Sequence, residues 1–409
     1  MGHPALAQQR PLPAGGQEPN RALLRQGEDL LRSGQTAQAE RKFREVLKRD
    51  PKNLDAMVWL GDLALSRKDL GLAESYARQA QTIDANHPAS HALLALVHEG
   101  RNEPARAEEE LRTAIRLEPT YIPPYLLLAR RYLADNKADE AIAQGQAALK
   151  VAPHRQGIRE ILLVAYIQAG RIPEAITETN ALIKQRPKDP ALHNTLGALY
   201  GRSGNPAEAA REFHAALRLN PKFSPAYLNL GDSYLVRNDR AKALHNYLEA
   251  GRLTPALAEA HRRAGDLYLA DKRIDEALAA YTRALIADPN AVGALTNLAR
   301  IYTEDRRDLK QALELAQRAE RLAPRDWYVQ DVLGWSLHES GKTSEAVQHL
   351  EEAKRLEPQA ARARYHLGMA YLKLGLRSEA AAELRAALAR APDLPQRDAI
   401  EDILAELRP

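Results

Sequence analysis

The apolar and polar positions along the chain repeat with a period of 34 residues. Counting back by 34 from Pro119 leads to Ala85 and then to Pro51, and only the step from 289 to 324 is one residue longer. A Pro ends most of the periods: Pro51, Pro119, Pro153, Pro187, Pro221, Pro255, Pro289, Pro324, Pro358 and Pro392. Self-similarity at such a period predicts a solenoid of stacked supersecondary units.

Each period holds small and aromatic residues at fixed positions whose spacings fit helices. An Ala stands twelve residues before the end of every period, and a Leu followed by Gly recurs earlier, as in Leu60-Gly61 and Leu333-Gly334. Tyr is common three residues after the Gly position. Spacings of three and four residues lie on one helix face. Turn-forming stretches such as SGNPAE divide each period, so the pattern predicts two helices per period, the second ended by the Pro.

This pattern of Leu-Gly, Tyr, Ala and Pro resembles the tetratricopeptide repeat family over about nine-tenths of the chain. The resemblance implies an all-α fold, a right-handed superhelical solenoid of antiparallel helix pairs. It also implies that the first helix of each pair lines a concave face and that the second helix faces outward. Eleven units are expected over residues 20–392 as one continuous solenoid.

The two ends of the chain depart from the repeat. Residues 1–19 are rich in Pro, Gly and Gln without periodicity, which predicts a flexible tail or linker. Residues 393–409 place apolar side chains at helical spacing, with charged residues between them: Ile400, Ile403, Leu404 and Leu407. This segment is predicted to be the capping helix that a solenoid needs at its end.

Composition narrows the class of partner and the compartment. The 409 residues are 45% hydrophobic and 27% charged, which excludes disorder of the whole chain. The 58 basic and 54 acidic residues are spread evenly, so no nucleic-acid partner is predicted. No apolar run is long enough for a transmembrane segment. Because no export signal begins the sequence, we expect a cytoplasmic protein if the chain is complete, and a periplasmic or envelope-associated one if a signal segment was removed.

No residues with catalytic or metal-binding patterns emerge from the sequence. The chain has no Cys, which excludes disulfides and thiol catalysis. His87 and His91 are spaced as a metal pair, but no third ligand with suitable spacing follows. His193 and His261 share one repeat position and are interpreted as packing residues. Without a phosphate loop, nucleophile elbow or paired-carboxylate motif, we expect no metal, no cofactor, no catalytic residue and no enzymatic activity.

Residues that the repeat does not need for its own packing indicate a binding surface. In the resembled family, the residue two positions before the small Gly or Ala faces the groove. In the second to fifth periods these positions and their neighbours are apolar. They predict an apolar half-groove formed by Val58, Trp59, Leu93, Leu126, Leu127, Ile161 and Val164. A contiguous exposed apolar surface is typical of an interaction site. The alternative is that these side chains pack laterally between adjacent first helices and expose little.

The corresponding positions in the sixth to ninth periods are polar. They predict a polar half-groove that fixes the orientation and register of a bound partner, formed by Asn194, Thr195, Asn229, Asp232, Arg263, Asp266, Asn297 and Arg300. Asn side chains along a groove can hydrogen-bond a peptide backbone whatever its side chains are.

These features predict a non-enzymatic protein-protein interaction scaffold that binds a peptide or amphipathic helix of a partner. The high Ala and Arg content favours a bacterial multiprotein assembly. One alternative is a self-oligomerising structural protein, in which one copy receives the N-terminal tail or terminal helix of another. A second alternative is an envelope assembly factor, because residues 331–375 resemble C-terminal repeats of bacterial envelope proteins tied to exopolysaccharide export.

Overall fold

The structure, a computed structural model, describes residues 18–304, 308–391 and 394–407. Within these ranges the chain forms 23 α-helices and no strand. The described residues leave out most of the predicted tail (residues 1–17) and Pro392. They also leave out residues 305–307, which belong to the period that is one residue longer than the others. None of the described helices combines the length and apolar character that a membrane crossing requires. The chain divides into two compact units, unit 1 up to Ser203 and unit 2 from Gly204.

Unit 1 contains five helix pairs followed by one further helix. The described helices are α1 (Glu18–Arg32), α2 (Thr36–Arg49), α3 (Leu54–Ser66), α4 (Leu70–Ile83), α5 (Pro88–Gly100), α6 (Pro104–Leu117), α7 (Ile122–Ala134), α8 (Ala138–Val151), α9 (Gln156–Gln168), α10 (Ile172–Gln185) and α11 (Pro190–Arg202).

Unit 2 begins with a single helix, continues with five helix pairs, and ends with a short helix. These helices are α12 (Pro206–Leu219), α13 (Ser224–Val236), α14 (Arg240–Leu253), α15 (Ala258–Ala270), α16 (Ile274–Ala287), α17 (Val292–Glu304), α18 (Leu309–Leu322), α19 (Trp327–Glu339), α20 (Thr343–Leu356), α21 (Ala361–Lys373), α22 (Arg377–Arg390) and α23 (Arg397–Glu406).

The small residues of the repeat lie where the two helices of a pair meet. The Ala that stands twelve residues before the end of each period is at most 1% exposed in all eleven periods. A Cβ atom added at Gly265 would lie 2.7 Å from the ring of Tyr281 on the second helix of the same pair. Because real Cβ contacts are longer than this, only Gly lets α15 and α16 pack at their present distance.

The turns between the two helices of a pair share one backbone feature. The last residue of the turn has a positive φ, and this feature recurs every 34 residues. The residue is Gly, Asn or Lys, for example Gly34, Asn136 and Lys272. The following amide closes the turn by donating to the carbonyl five residues earlier, as Lys137 does to Tyr132 at 2.8 Å. This is the Schellman arrangement that ends helices with a left-handed residue.

A second local bond joins the first helix of a pair to the residue that ends the previous period. The side chain six residues after the Pro that ends a period donates to the carbonyl oxygen of that Pro. The examples are Tyr125 to Pro119 at 3.1 Å, His261 to Pro255 at 3.2 Å and Gln330 to Pro324 at 2.8 Å. This contact is consistent with the interpretation of His261 as a structural residue. At the C-terminal end, α23 buries Ile400 completely.

Candidate interaction surfaces on the first helices

Five of the seven residues predicted for the apolar half-groove are buried in unit 1. Val58, Trp59, Leu93, Leu126 and Ile161 are at most 6% exposed. Their position matches lateral packing between helices, the alternative considered above. Leu127 is half-buried, and Val164 on α9 is 52% exposed. The partner-binding role of all seven stays a prediction, and only these last two have substantial accessible surface.

The packing of Trp59 and Leu93 explains why they are buried. The Trp59 ring stacks on Phe43 of α2, with ring centroids 5.4 Å apart and planes nearly parallel. The Leu93 side chain fills the space left by the missing side chain of Gly61, so that a Cβ at Gly61 would overlap it. The position two before the small residue therefore contacts helices of the preceding pair, α2 for Trp59 and α3 for Leu93, and both of these side chains are almost fully buried.

The polar positions of unit 1 are few. Asn194 and Thr195 are both half-buried on α11. The Thr195 hydroxyl donates to the carbonyl of Ala191 one turn earlier, at 2.9 Å. This local bond uses the only proton that the hydroxyl can donate. Thr195 therefore offers a partner only an acceptor while this bond is kept.

In unit 2 the polar residues join one first helix to the next. Arg263 of α15 donates to Asp232 of α13 and, at 2.6 Å, to Glu259 on its own helix. The Tyr247 hydroxyl also donates to Asp232, at 2.6 Å, and burial raises the pKa of Tyr247 to about 12. The Arg263 and Asp232 side chains nevertheless remain 32% and 35% exposed. Asn229 is half-buried one turn before Asp232.

The same arrangement recurs one pair later. Asn297 of α17 donates to Asp266 of α15 at 3.0 Å, and Tyr281 donates to the same carboxylate at 2.7 Å. Burial and the charge of Asp266 raise the pKa of Tyr281 above that of a free tyrosine. Asn297 then accepts from the Tyr328 hydroxyl of α19 at 2.7 Å. The Asn297 amide therefore has fixed donor and acceptor ends, in contrast to a freely rotating surface amide.

Arg300 completes the predicted polar set with a weaker local contact. It is half-buried on α17, and its guanidinium lies 3.8 Å from the Glu304 carboxylate one turn later. All six predicted polar residues of unit 2 thus lie on α13, α15 and α17, and the hydrogen bonds between these helices include Asp232 with Arg263 and Asp266 with Asn297.

A buried ion cluster that the sequence did not single out continues this series. Asp331 of α19 is fully buried and accepts from Arg362 at 2.6 Å and from the His366 ring at 2.7 Å, both on α21. Burial alone would raise the pKa of Asp331, but the charges of His366 and Arg362 outweigh it and hold the pKa below the usual value. His366 also stacks on Trp335, with centroids 4.3 Å apart.

Two sequence signals could have revealed these polar contacts. Asp331 directly precedes the apolar stretch VLGW, where an unpaired buried charge would be costly. An Asp directly after the Gly, followed fifteen residues later by Tyr, occurs at Asp232 with Tyr247 and at Asp266 with Tyr281. The second signal marks a hydrogen bond between the two helices of a pair.

These helix pairs and their small-residue contacts define an α-helical repeat protein of the class that binds other proteins. Models of the tetratricopeptide repeat match residues 24–90, 88–113, 132–199, 190–223, 228–292, 262–326 and 332–395. The matches cover well over half of the chain, and the chain belongs to the tetratricopeptide repeat family. The predicted family and the all-α solenoid class of helix pairs are confirmed. Proteins of this family are protein-protein interaction scaffolds, and this coarse function applies to the chain.

Solved structures are similar in fold at low sequence identity. A chain of the APC/C hetero-tetramer Cut9-Hcn1 aligns with a TM-score of 0.50 and 14% identity, over 96% of this chain and 97% of that chain. Yeast Tom70 aligns with a TM-score of 0.43 and 15% identity, over 95% and 96%. YrrB, described as a TPR protein with an unusual peptide-binding site, aligns with a TM-score of 0.39 and 25% identity, over 47% and 99%. The comparison with curated proteins found no match.

Proposed function

We propose that the chain is a non-enzymatic scaffold that binds a peptide or amphipathic helix of a partner on the polar face of α13, α15 and α17. The observation that supports this proposal is the series of hydrogen bonds that joins these helices while leaving Arg263 and Asp232 about one-third exposed. Side chains already held in one geometry lose little conformational entropy when a partner binds.

The polar face, defined here as Asn229, Asp232, Arg263, Asp266, Asn297 and Arg300, presents donors and acceptors in alternation. Carboxylates and guanidinium groups paired with each other can exchange partners with charged side chains of a ligand, whereas Asn amides suit its backbone. In unit 1, Leu127 and Val164 are proposed as a separate apolar contact for a partner side chain. A peptide that combines charged residues with an extended backbone is the ligand that the polar face fits best.

The proposal keeps the wider organisation expected from the sequence. Residues 20–392 would form eleven repeat units, residues 393–409 a cap around α23, and residues 1–19 a linker. We propose that the scaffold acts in a bacterial multiprotein assembly, in keeping with the Ala-rich and Arg-rich composition. Self-association and a role in envelope export stay predictions from sequence. Sedimentation over a range of micromolar concentrations tests the first, since self-association requires a mass that rises with concentration.

The test uses peptides selected on the whole chain. A displayed library of random twelve-residue peptides is enriched on the wild-type protein, and the consensus peptide is labelled for anisotropy titration. We expect Asn229→Ala combined with Arg263→Ala to weaken binding about tenfold, because each loses a group that would contact the peptide.

The matched control is Arg252→Ala, which removes an exposed Arg paired with Glu249 on the second helix α14. It should bind the consensus peptide like wild type, and the melting temperature of each variant reports whether the fold is intact. Unchanged affinity in the folded double variant would reject the polar face as the binding surface.

A further inference from the structure

A basic cleft lies in unit 2 on the side formed by the second helices. It has a volume of about 930 Å³ and lies between α12 and α14, over α13. Its floor is one stripe of α13 with spacings of three and four residues, formed by Tyr227, Leu230 and Tyr234. Its walls carry Arg211, His214 and Arg218 from α12 and Lys242, His245 and Asn246 from α14.

The charged side chains that line this basic cleft are all cationic. Arg211 bonds Glu208 at 2.9 Å and Lys242 bonds Asp239 at 2.7 Å, but both cations remain largely exposed, at 73% and 62%. Arg218 has no ion-pair partner within the described part of the chain. The cleft therefore presents Arg218 without an ion pair among the described residues, and Arg211 and Lys242 in exposed ion pairs that neutralise their charges only weakly, around a floor with two Tyr rings.

The repeat architecture alone does not produce this charge pattern. In unit 1 the outer face of α6 forms a cleft of about 610 Å³, and its lining includes Glu108, Glu109, Arg112 and Arg116. Arg112 pairs with Glu108 there at 2.6 Å. Acidic and basic groups thus balance in that cleft, whereas the basic cleft of unit 2 has no acidic residue in its lining.

We propose that the basic cleft binds an acidic peptide segment of a partner protein. Cations on two facing walls can hold carboxylates spaced along one segment. The floor adds the rings of Tyr227 and Tyr234, and the Lys242 ammonium lies 5.3 Å from the Tyr234 ring centroid. Its volume is in the range of sites that hold ligands much larger than a single inorganic anion. Glu208 and Asp239 pair with two of these cations, and a nucleic-acid backbone, which binds by neutralising many phosphates, is the alternative that the experiment tests.

The basic cleft is distinct from the polar face of the proposed function. On α13 the cleft is lined by Tyr227, Leu230 and Tyr234, whereas Asn229 and Asp232 belong to the polar face on another stripe of the helix. The two surfaces can therefore be altered separately. A scaffold with both would hold two different segments, or two proteins, at the same time.

The experiment measures binding of a fluorescein-labelled peptide of eight Glu residues to the whole chain by anisotropy. We expect wild type to bind it, and Arg218→Glu combined with Lys242→Glu to weaken binding about tenfold, since each reversal replaces an attraction by a repulsion. Arg116→Glu is the matched control, because Arg116 is an exposed residue at the repeat position of Arg218, in the balanced cleft of unit 1. It should leave the affinity within twofold of wild type.

Two further ligands separate specific binding from general charge attraction. An eight-residue Gln peptide should not bind, and a twenty-nucleotide oligo-dT should bind more weakly than the Glu peptide. Three outcomes would each overturn the proposal. The Glu peptide does not bind to wild type, its affinity falls equally in the double variant and in the Arg116→Glu control, or oligo-dT binds more tightly than the Glu peptide. The Asn229→Ala and Arg263→Ala variant should keep full affinity for the Glu peptide, so failure of either proposal is recognised independently.

Discussion

Asp331 shows how one residue can link two neighbouring helix pairs. Its carboxylate has no exposed surface and accepts from both Arg362 and His366. A buried charge is tolerated only when its partners compensate for the lost hydration, and removing one partner leaves the others uncompensated. The same side chain therefore makes the contact between α19 and α21 both specific and sensitive to substitution.

We expect Asp331→Asn to lower the free energy of unfolding of unit 2 by about 3 kcal/mol at pH 7. The folded-state pKa of Asp331 lies below its unfolded value, so its contribution is complete above about pH 4 and is lost as the pH falls through the lower folded value. Wild type and variant should therefore converge in acid. Urea unfolding at pH 7 and in a series below pH 4 measures this difference.

The measurement uses Trp fluorescence in a Trp59→Phe background, because Trp327 and Trp335 then report on unit 2 alone. Glu352→Ala is the control, since it removes a one-third exposed carboxylate paired with Arg355 one turn away. A pH-independent gap between wild type and Asp331→Asn would show that the charge of Asp331 does not contribute to stability.

The sequence predicted the burial of single residues correctly at positions whose packing is the same in every period. The recurring Ala is buried in every period, and its spacing alone identifies it. The burial of Trp59 and Leu93 could not be read from spacing, because it depends on Phe43 and on the space at Gly61 on neighbouring helices. Likewise, the contacts of Asp232 with Arg263 and of Asp266 with Asn297 depend on side-chain conformation across helices.

At the scale of the helix pair, the left-handed turn residue is the most regular feature of the structure. Gly and Asn occupy most of these positions, but Lys68 and Lys272 have φ values of 61° and 57°. A side chain with a Cβ in this region costs about 1 to 2 kcal/mol relative to the right-handed region, whereas Gly adopts it freely. The sequence predicted turns at these places, although Lys gave no sign of the left-handed backbone.

We expect Lys272→Gly to raise the free energy of unfolding by about 1 kcal/mol, because it removes this strain at an exposed position. The reverse change, Gly341→Lys, should lower it by a similar amount. Urea denaturation of both variants against wild type measures the effect. A loss of stability in Lys272→Gly would mean that the Lys side chain contributes more than its backbone costs.

At the scale of the whole molecule, the 34-residue period and the two-helix unit were sufficient to predict the family and the all-α fold class. The order of helices, their turns and the terminal helix follow from local pattern, because each pair contacts mainly its sequence neighbours. The division at Ser203 and Gly204 has no counterpart in the repeat pattern, since the period runs through it unchanged. The surfaces were harder to predict than the fold, because they depend on which side chains remain accessible.

The hydrogen bonds between successive first helices of unit 2 join residues 31 to 35 positions apart, from Asp232 with Arg263 to Asp331 with His366. Such a chain should behave as an extensible spring when it is pulled from its ends. Each detached period would release about 100 Å of contour length. Optical-tweezer traces should then show repeated steps of that size, and one large rupture of unit 2 would contradict this expectation. A scaffold with these mechanics could yield period by period under load while its remaining pairs stay folded.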